Sequence, residues 1–297
     1  MPQQNPIHVV LDMIEQRANE MMSVDQFAAA AYLSGSHLQL LFRHLTGQPL
    51  MAYARGRKLA HSLNELFNTN MRIVDIANEY GFVHEQSYAR AFYAEFGCAP
   101  GKARREKIAL TIRERISPDS LTTLRSGIMI GPEHAVIPRF YIVGIPTLFQ
   151  DFDDRRDRFL PNAVAKSAYF HQLLPVKSTD PGVYYGLCHI VSKKDIEYMP
   201  SVRVSDLQHV PAGMKGWTVP SCQCVRFRYV GSHPPEEITM ETAWETYQAV
   251  DRFFASQSRY QFSGSYHYER IDPTKFDGVY CQMDLMYPVL DRQEAKK

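Results

Sequence analysis

Five cysteines and eleven histidines are the side chains of this 297-residue chain best suited to nucleophilic, acid–base or metal chemistry. Their spacing gives them little to work with. Cys222 and Cys224 sit one residue apart on a β-branched stretch, so in a strand they point the same way, but the second pair that a zinc site requires is missing. Cys188 and His189 are chain neighbours and would face opposite sides of a strand, which keeps them from sharing a proton directly. No G-x-S-x-G elbow, H-E-x-x-H helix or phosphate-binding P-loop occurs. The expectation is therefore no catalytic residue, no metal and no cofactor, with reduced core thiols in a cytoplasmic protein. A small hydrolase-like second domain is the competing enzyme reading.

The elements that would position any site change character along the chain. At twice the usual domain length, two domains are expected. Lys and Arg total 33 against 32 Asp and Glu, a formal charge of +1, which argues against nucleic-acid binding by bulk charge but leaves room for a compact reading module. No run of about 18 apolar residues predicts a membrane span, and the first residues lack the basic-then-apolar pattern of a signal peptide. Residues 1–107 read as helix throughout. From 135 to 292, short runs rich in Val, Ile, Tyr and Phe alternate with two long amphipathic segments. The polar stretch 108–134, with Pro118 and Gly127, reads as a linker.

The helical part repeats itself at an offset of 50. Val24-Asp25 meets Val74-Asp75, Ala31 meets Gly81, Tyr32 meets Phe82, Leu38 meets Tyr88, Phe42 meets Phe92 and Gly47 meets Gly97. Each copy reads as an apolar helix, a short turn and a second helix ended by glycine, which is the build of a helix-turn-helix. Ser34 or Ser36 can cap the second helix of the first copy, near 36–46; Glu85 opens the matching helix near 84–96, where an acidic group is favourable. Between the copies, 50–67 has helical periodicity and would span about 26 Å. A rod of that length can hold two recognition helices near the ~34 Å spacing of successive major grooves. Phe42, Phe82, Phe92 and Phe96 fall on apolar helix faces and are expected in the core.

SVDQFAAAAYLSGSHLQLLFRHLTG, ARGRKLAHSLNELF and IVDIANEYGFVHEQSYARAFYAEFG, followed by Ala99-Pro100, resemble the DNA-binding domain of AraC/XylS transcription regulators over residues 23–106. The resemblance implies seven helices and two motifs that enter consecutive major grooves of promoter DNA. Carried over by position, the first recognition helix presents Ser36, His37, Gln39, Leu40 and Arg43, and the second presents Glu85, Gln86, Ser87, Arg90 and Tyr93. Gln and Arg suit adenine and guanine edges. Leu40 departs from the arginine many relatives carry there; it can touch a thymine methyl but cannot read guanine. Arg43, Arg55, Arg57, Lys58, Arg90, Lys102, Arg104 and Arg105 are phosphate candidates, which orient without specifying sequence.

Beyond residue 135 the expected order is strand (136–149), helix (156–174), strands (183–191 and 196–204), strand (221–230), helix (236–256) and strands (265–271 and 279–289). This is β-α-β-β twice, two pseudo-symmetric units with an aromatic-rich groove between them. Ile142-Val143-Gly144-Ile145-Pro146, HVPAG at 209–213, FRYVG at 227–231, TAWETYQAVDRFF, YHYER and the closing MYPV resemble the GyrI-like small-molecule-binding domain, and the whole chain resembles the Rob-like branch of the AraC/XylS family. The expected architecture is an all-α double helix-turn-helix domain followed by an α+β GyrI-like domain. The family's central acidic residue matches Glu269, whose carboxylate would attract an organic cation within aromatic rings. Strand alternation gives His267 and Ile271 the same face; Trp217, Trp244 and Tyr287 are the expected walls. The implied protein is a DNA-binding regulator, monomeric on promoter DNA, controlled by a small effector and able to contact RNA polymerase. The alternative is a second domain that docks a partner without any ligand.

Overall fold

The computed structural model describes residues 5–149, 176–192, 195–238, 240–257 and 259–292. The chain divides into two compact units, Met1–Leu121 and Thr122–Lys297.

Local signals set the helices of the first unit. α1 (Pro6–Gln16) opens where Asn5 Oδ1 accepts from Ile7 N at 3.0 Å, and α2 (Val24–Ala30) opens on a reciprocal capping box between Ser23 and Gln26. α3 (Gly35–Thr46) is capped by Ser34, whose hydroxyl accepts from His37 N. α4 (Leu50–Asn68) follows, then α5 (Ile73–Glu79), α6 (Glu85–Phe96) and α7 (Pro100–Glu106). Gly47 and Gly97 end α3 and α6 in left-handed geometry, the usual helix stop. Leu59, Leu66, Ile76, Ala77, Tyr88, Phe92 and Ala103 close the core around α4.

The two motifs do not repeat at a uniform 50. α2 and α5 start 49 residues apart, while α3 and α6 start 50 apart. Each turn is closed alike, Leu33 N donating to Ala28 O and Phe82 N to Ala77 O. The left-handed residue is Tyr32 (φ 56°) in the first motif and Gly81 (φ 71°) in the second. Tyr32 thus matches Gly81, not Phe82, and the extra residue in the second turn is Val83. The need to end a helix in a left-handed step, not side-chain identity, sets this register.

The segment expected to be a linker belongs to both units. Residues 108–116 are bonded along the helical unit, Ile116 N donating to Tyr53 Oη at 2.9 Å. Gly127–Ile137 forms a full strand.

The second unit is a mixed-length antiparallel sheet: β1 (Leu121–Thr123), β2 (Gly127–Ile137), β3 (Phe140–Gly144), β4 (Thr147–Phe149), β5 (Tyr184–Ile190), β6 (Ile196–Val204), β7 (Lys215–Val219), β8 (Cys222–Gly231), β9 (Tyr260–Phe262), β10 (Tyr266–Ile271) and β11 (Cys281–Asp291). The expected strand 136–149 is three pieces, because Pro138 and Pro146 have no N–H to give a ladder. β7 and β9 were not expected. The order β1-β2-β8-β11-β10-β5-β6-β3-β7 reads outward from the β5–β10 pair as two equivalent triplets, β5-β6-β3 and β10-β11-β8. That is the pseudo-symmetric pair expected from sequence. The second half's helix is α8 (Met240–Ser256); the helix expected at 156–174 lies outside the described residues. α8 covers one face, where Val250 and Ala249 pack with Phe227, Leu285 and Tyr287. The other face buries Ile142, Leu187, Met199, Tyr268 and Met286.

Candidate nucleic-acid interface and buried carboxylate site

On the helical unit, the buried side of α3 is Leu38, Leu41, Phe42 and Leu45, and that of α6 is Tyr88 and Phe92. What remains outward on α3 is Ser36, His37, Gln39 and Arg43, with Leu40 half-buried; on α6 it is Glu85, Gln86, Ser87, Arg90 and Tyr93. Helix geometry alone therefore gives each second helix a polar stripe with one arginine, Arg43 in the last turn of α3 and Arg90 in the second turn of α6. Ser36 Oγ lies 3.2 Å from the capping Ser34 Oγ, and Gln39 Nε2 donates back to Gly35 O at 3.3 Å.

The cations divide sharply by partner. Arg43, Arg55, Arg90 and Arg105 are exposed and make no ion pair among the described residues. Lys102 is exposed and only loosely paired with Glu106, at 3.9 Å. Three others are not free phosphate contacts. Arg57 forks Glu15 at 2.6 and 2.9 Å and donates to Arg113 O at 2.6 Å. Lys58 donates to Glu20 O at 2.6 Å, and burial pushes its ammonium pKa down. Arg104 donates to Leu66 O and Met71 O, both at 2.7 Å, satisfying carbonyls at and just beyond the end of α4. Charge was legible in these residues; the carbonyls and carboxylate they reach were not.

On the sheet unit, pairing places Glu269 opposite Gly186 on β5 and Leu285 on β11. Glu269 is 2% exposed. Tyr198 Oη donates to its Oε2 at 3.2 Å, Tyr247 Oη donates to its Oε1, and Tyr184 Oη is hydrogen-bonded to Tyr198 Oη. A Cβ at position 186 would lie 3.1 Å from Glu269 Oε2 and closer still to the Tyr198 hydroxyl, so glycine there makes the room. Burial pushes the Glu269 carboxyl up to about 8, against the opposing pull of the Tyr198 hydrogen bond. His267 shares the face, its ring stacked on Tyr287 at 4.5 Å and edge-on to Tyr247 at 5.1 Å. Both its ring nitrogens are buried without a hydrogen-bond partner, and burial pushes it down to about 3.

Glu269, His267 and Tyr287 are thus brought together, and Ile271 lies on the same face in the core below α8. Trp244 stands one helical turn before Tyr247 on α8. Trp217 is a correction. β7 pairs with β3 so that Trp217 lies opposite Ile142, and it packs on His189 and Tyr266 across the other face of the sheet. Tyr184, Tyr198, Tyr247 and Gly186 were missed as site residues; alternation along β5 sets Tyr184 and Gly186 on the face of Cys188, whereas Tyr198 follows only from the pairing of β6 with β5. Among the described residues no cluster of His, Cys, Asp and Glu could hold a metal, and no helix is long and apolar enough to cross a membrane.

Two helix-turn-helix motifs on one connecting helix define a DNA-binding module, here followed by a sheet-rich domain. A family model described as a helix-turn-helix domain matches residues 27–106. The chain is 30% identical over 214 residues to the transcriptional regulator Rob of Salmonella typhimurium, spanning 71% of this chain and 68% of that protein. It is 35% identical over 102 residues to the HTH-type transcriptional activator AarP of Providencia stuartii, 34% of this chain and 76% of that one. A solved structure of SAV2435 bound to tetraphenylphosphonium aligns with 54% of this chain and 94% of its own, at 13% identity and a TM-score of 0.41. The chain belongs to the AraC/XylS family of DNA-binding transcription regulators.

Proposed function

We propose that this regulator reads an asymmetric promoter site as a monomer, laying α3 and α6 in two successive major grooves, and that its sheet unit binds a small lipophilic cation at Glu269. Gln39 and Arg43 on one helix, and Gln86 and Arg90 on the other, contact base edges. Ser36, His37, Leu40, Glu85 and Ser87 complete the two surfaces, and Arg55 and Arg105 hold phosphates. Effector binding shifts the population of conformations that engage promoter DNA and RNA polymerase.

The observation that carries the effector reading is the buried carboxyl of Glu269, surrounded by tyrosine hydroxyls and rings with no cation beside it among the described residues. A carboxyl so placed is stable when neutral, or when a positive charge arrives to pair with its anion. Aromatic faces add their own attraction for an organic cation. The unpartnered nitrogens of His267 offer such a guest one hydrogen bond more.

Thermal unfolding of the full chain with tetraphenylphosphonium, and with neutral triphenylphosphine oxide of similar shape, tests the reading. The cation should raise the melting temperature of the sheet unit. Glu269→Gln should abolish that rise and leave the weaker response to the neutral compound. An equal rise in the variant would remove the charge from the mechanism.

A further inference from the structure

The chain that follows α7 carries an arginine held on three sides. Arg113 Nε donates to Glu95 Oε1 at 2.8 Å, its Nη2 donates to Glu95 Oε2 at 3.0 Å, and its Nη1 donates to Gln48 Oε1. Its own carbonyl accepts from Arg57 Nη1 at 2.6 Å, and Arg57 is in turn forked on Glu15. Glu95 lies in the last turn of α6; Gln48 directly follows Gly47, which ends α3. One guanidinium therefore bonds to the far ends of both recognition helices.

A second feature points the same way. Gly56 sits inside α4, where glycine costs about 1 kcal/mol relative to alanine. A Cβ there would lie 2.5 Å from Arg113 Nε and 2.9 Å from Glu95 Oε1. The glycine clears the ground on which the ion pair crosses α4. A forked guanidinium–carboxylate pair fixes direction as well as distance, which a point charge would not.

We propose that Arg113 is a positioning residue for DNA recognition: with Glu95, Gln48 and Gly56 it sets the separation of α3 and α6, so that the helical unit accepts one spacing between the two halves of its site. The proposal rests on the reading that both helices engage successive grooves.

The test uses the full chain and a duplex that the wild type selects in vitro from a random pool. Versions of that duplex gain or lose one base pair between the two halves. Arg113→Met and Glu95→Gln are compared, with melting temperatures to confirm folding. The wild type should lose affinity about tenfold or more on either spacing change. Both variants should bind the native spacing more weakly yet discriminate among spacings by less than about threefold. Their salt slopes should match the wild type's, since neither group is spent on phosphate. Equal losses at every spacing would reduce the group to a stability role and overturn the proposal. A slope smaller by about one in Arg113→Met alone would make Arg113 a phosphate contact and overturn it too. A wild type indifferent to spacing would sink the two-groove reading and the proposal with it.

Discussion

Glu269→Gln should change how the stability of the sheet unit depends on pH. Burial holds the Glu269 proton up to about pH 8, whereas in the unfolded chain it leaves near the ordinary value of 4.5. Between those values the folded chain binds the extra proton, so stability is greatest at the acid side and falls as pH rises towards 8. His267 acts in the opposite sense. Burial lowers it from 6.5 to about 3, so its effect on stability sets in as pH falls through 6.5 and is small above about 7. From pH 6.5 to 8 Glu269 therefore dominates, and at ~1.4 kcal/mol per pH unit, with its folded-state proton half gone at the upper end, the wild type should lose roughly 1–1.5 kcal/mol across the window. The glutamine keeps the shape and an oxygen for the Tyr247 hydroxyl but cannot ionise, so the variant should lose less than about 0.5 kcal/mol. Both tryptophans of the chain, Trp217 and Trp244, lie in the sheet unit, so urea unfolding followed by tryptophan fluorescence reports that unit. A variant whose stability falls as steeply as the wild type's would refute the reasoning.

Tyr32→Gly should stabilise the helical unit by about 0.5–1 kcal/mol, because a left-handed tyrosine that is 95% exposed bears strain and buries nothing. Gly81→Ala at the matching position should destabilise it by about 1 kcal/mol or more, its Cβ meeting the Asn19 carbonyl at 3.2 Å; helix melting by circular dichroism checks both. Arg55→Ala should reduce the slope of log affinity against log salt by about one, while Arg57→Ala should lower the melting temperature and leave that slope unchanged. Arg90→Ala should weaken specific binding by about 1–3 kcal/mol on a titration with selected duplex; undiminished affinity would remove Arg90 from base reading.

The parts legible in the sequence were those that depend on near neighbours in the chain. Gly47 and Gly97, the Ser34 cap and the spacing of Phe42 and Phe92 are local signals, and the two motifs follow from them. Alternation along β10 correctly set Glu269 and His267 against Tyr268 and Arg270, because a strand has a period of two. What failed depends on pairings far apart in the chain. Trp217 could be given a face only once β7 was known to pair with β3, and a five-residue strand containing a glycine announces itself weakly. Tyr247 reaches Glu269 because α8 crosses the sheet at one rotation about its own axis, which helical periodicity alone leaves open. Residues 108–134 looked like a linker because much of the stretch is polar and it holds Pro118 and Gly127; Arg113 is instead spent on Glu95, and Gly127–Ile137 pairs with β8.

The near-balance of charge and the DNA-binding fold are reconciled by what the cations touch. The helical region 1–107 carries 11 Lys and Arg against 10 Asp and Glu, too little excess for binding by bulk attraction. Of these, Arg57, Lys58 and Arg104 are turned inward on carbonyls and a carboxylate. Each inward cation forgoes a phosphate, and with it roughly 0.9 of a counterion released on binding. In exchange it ties α4 to α1, to the loop before α2 or to the chain ahead of α5, the framework on which α3 and α6 are mounted. On the proposed two-groove reading, non-specific affinity falls with every cation so used, while the geometry of α3 and α6 hardens. A protein built this way would separate its site from random sequence less by the strength of its grip than by how little the two helices can shift to accept a wrong one.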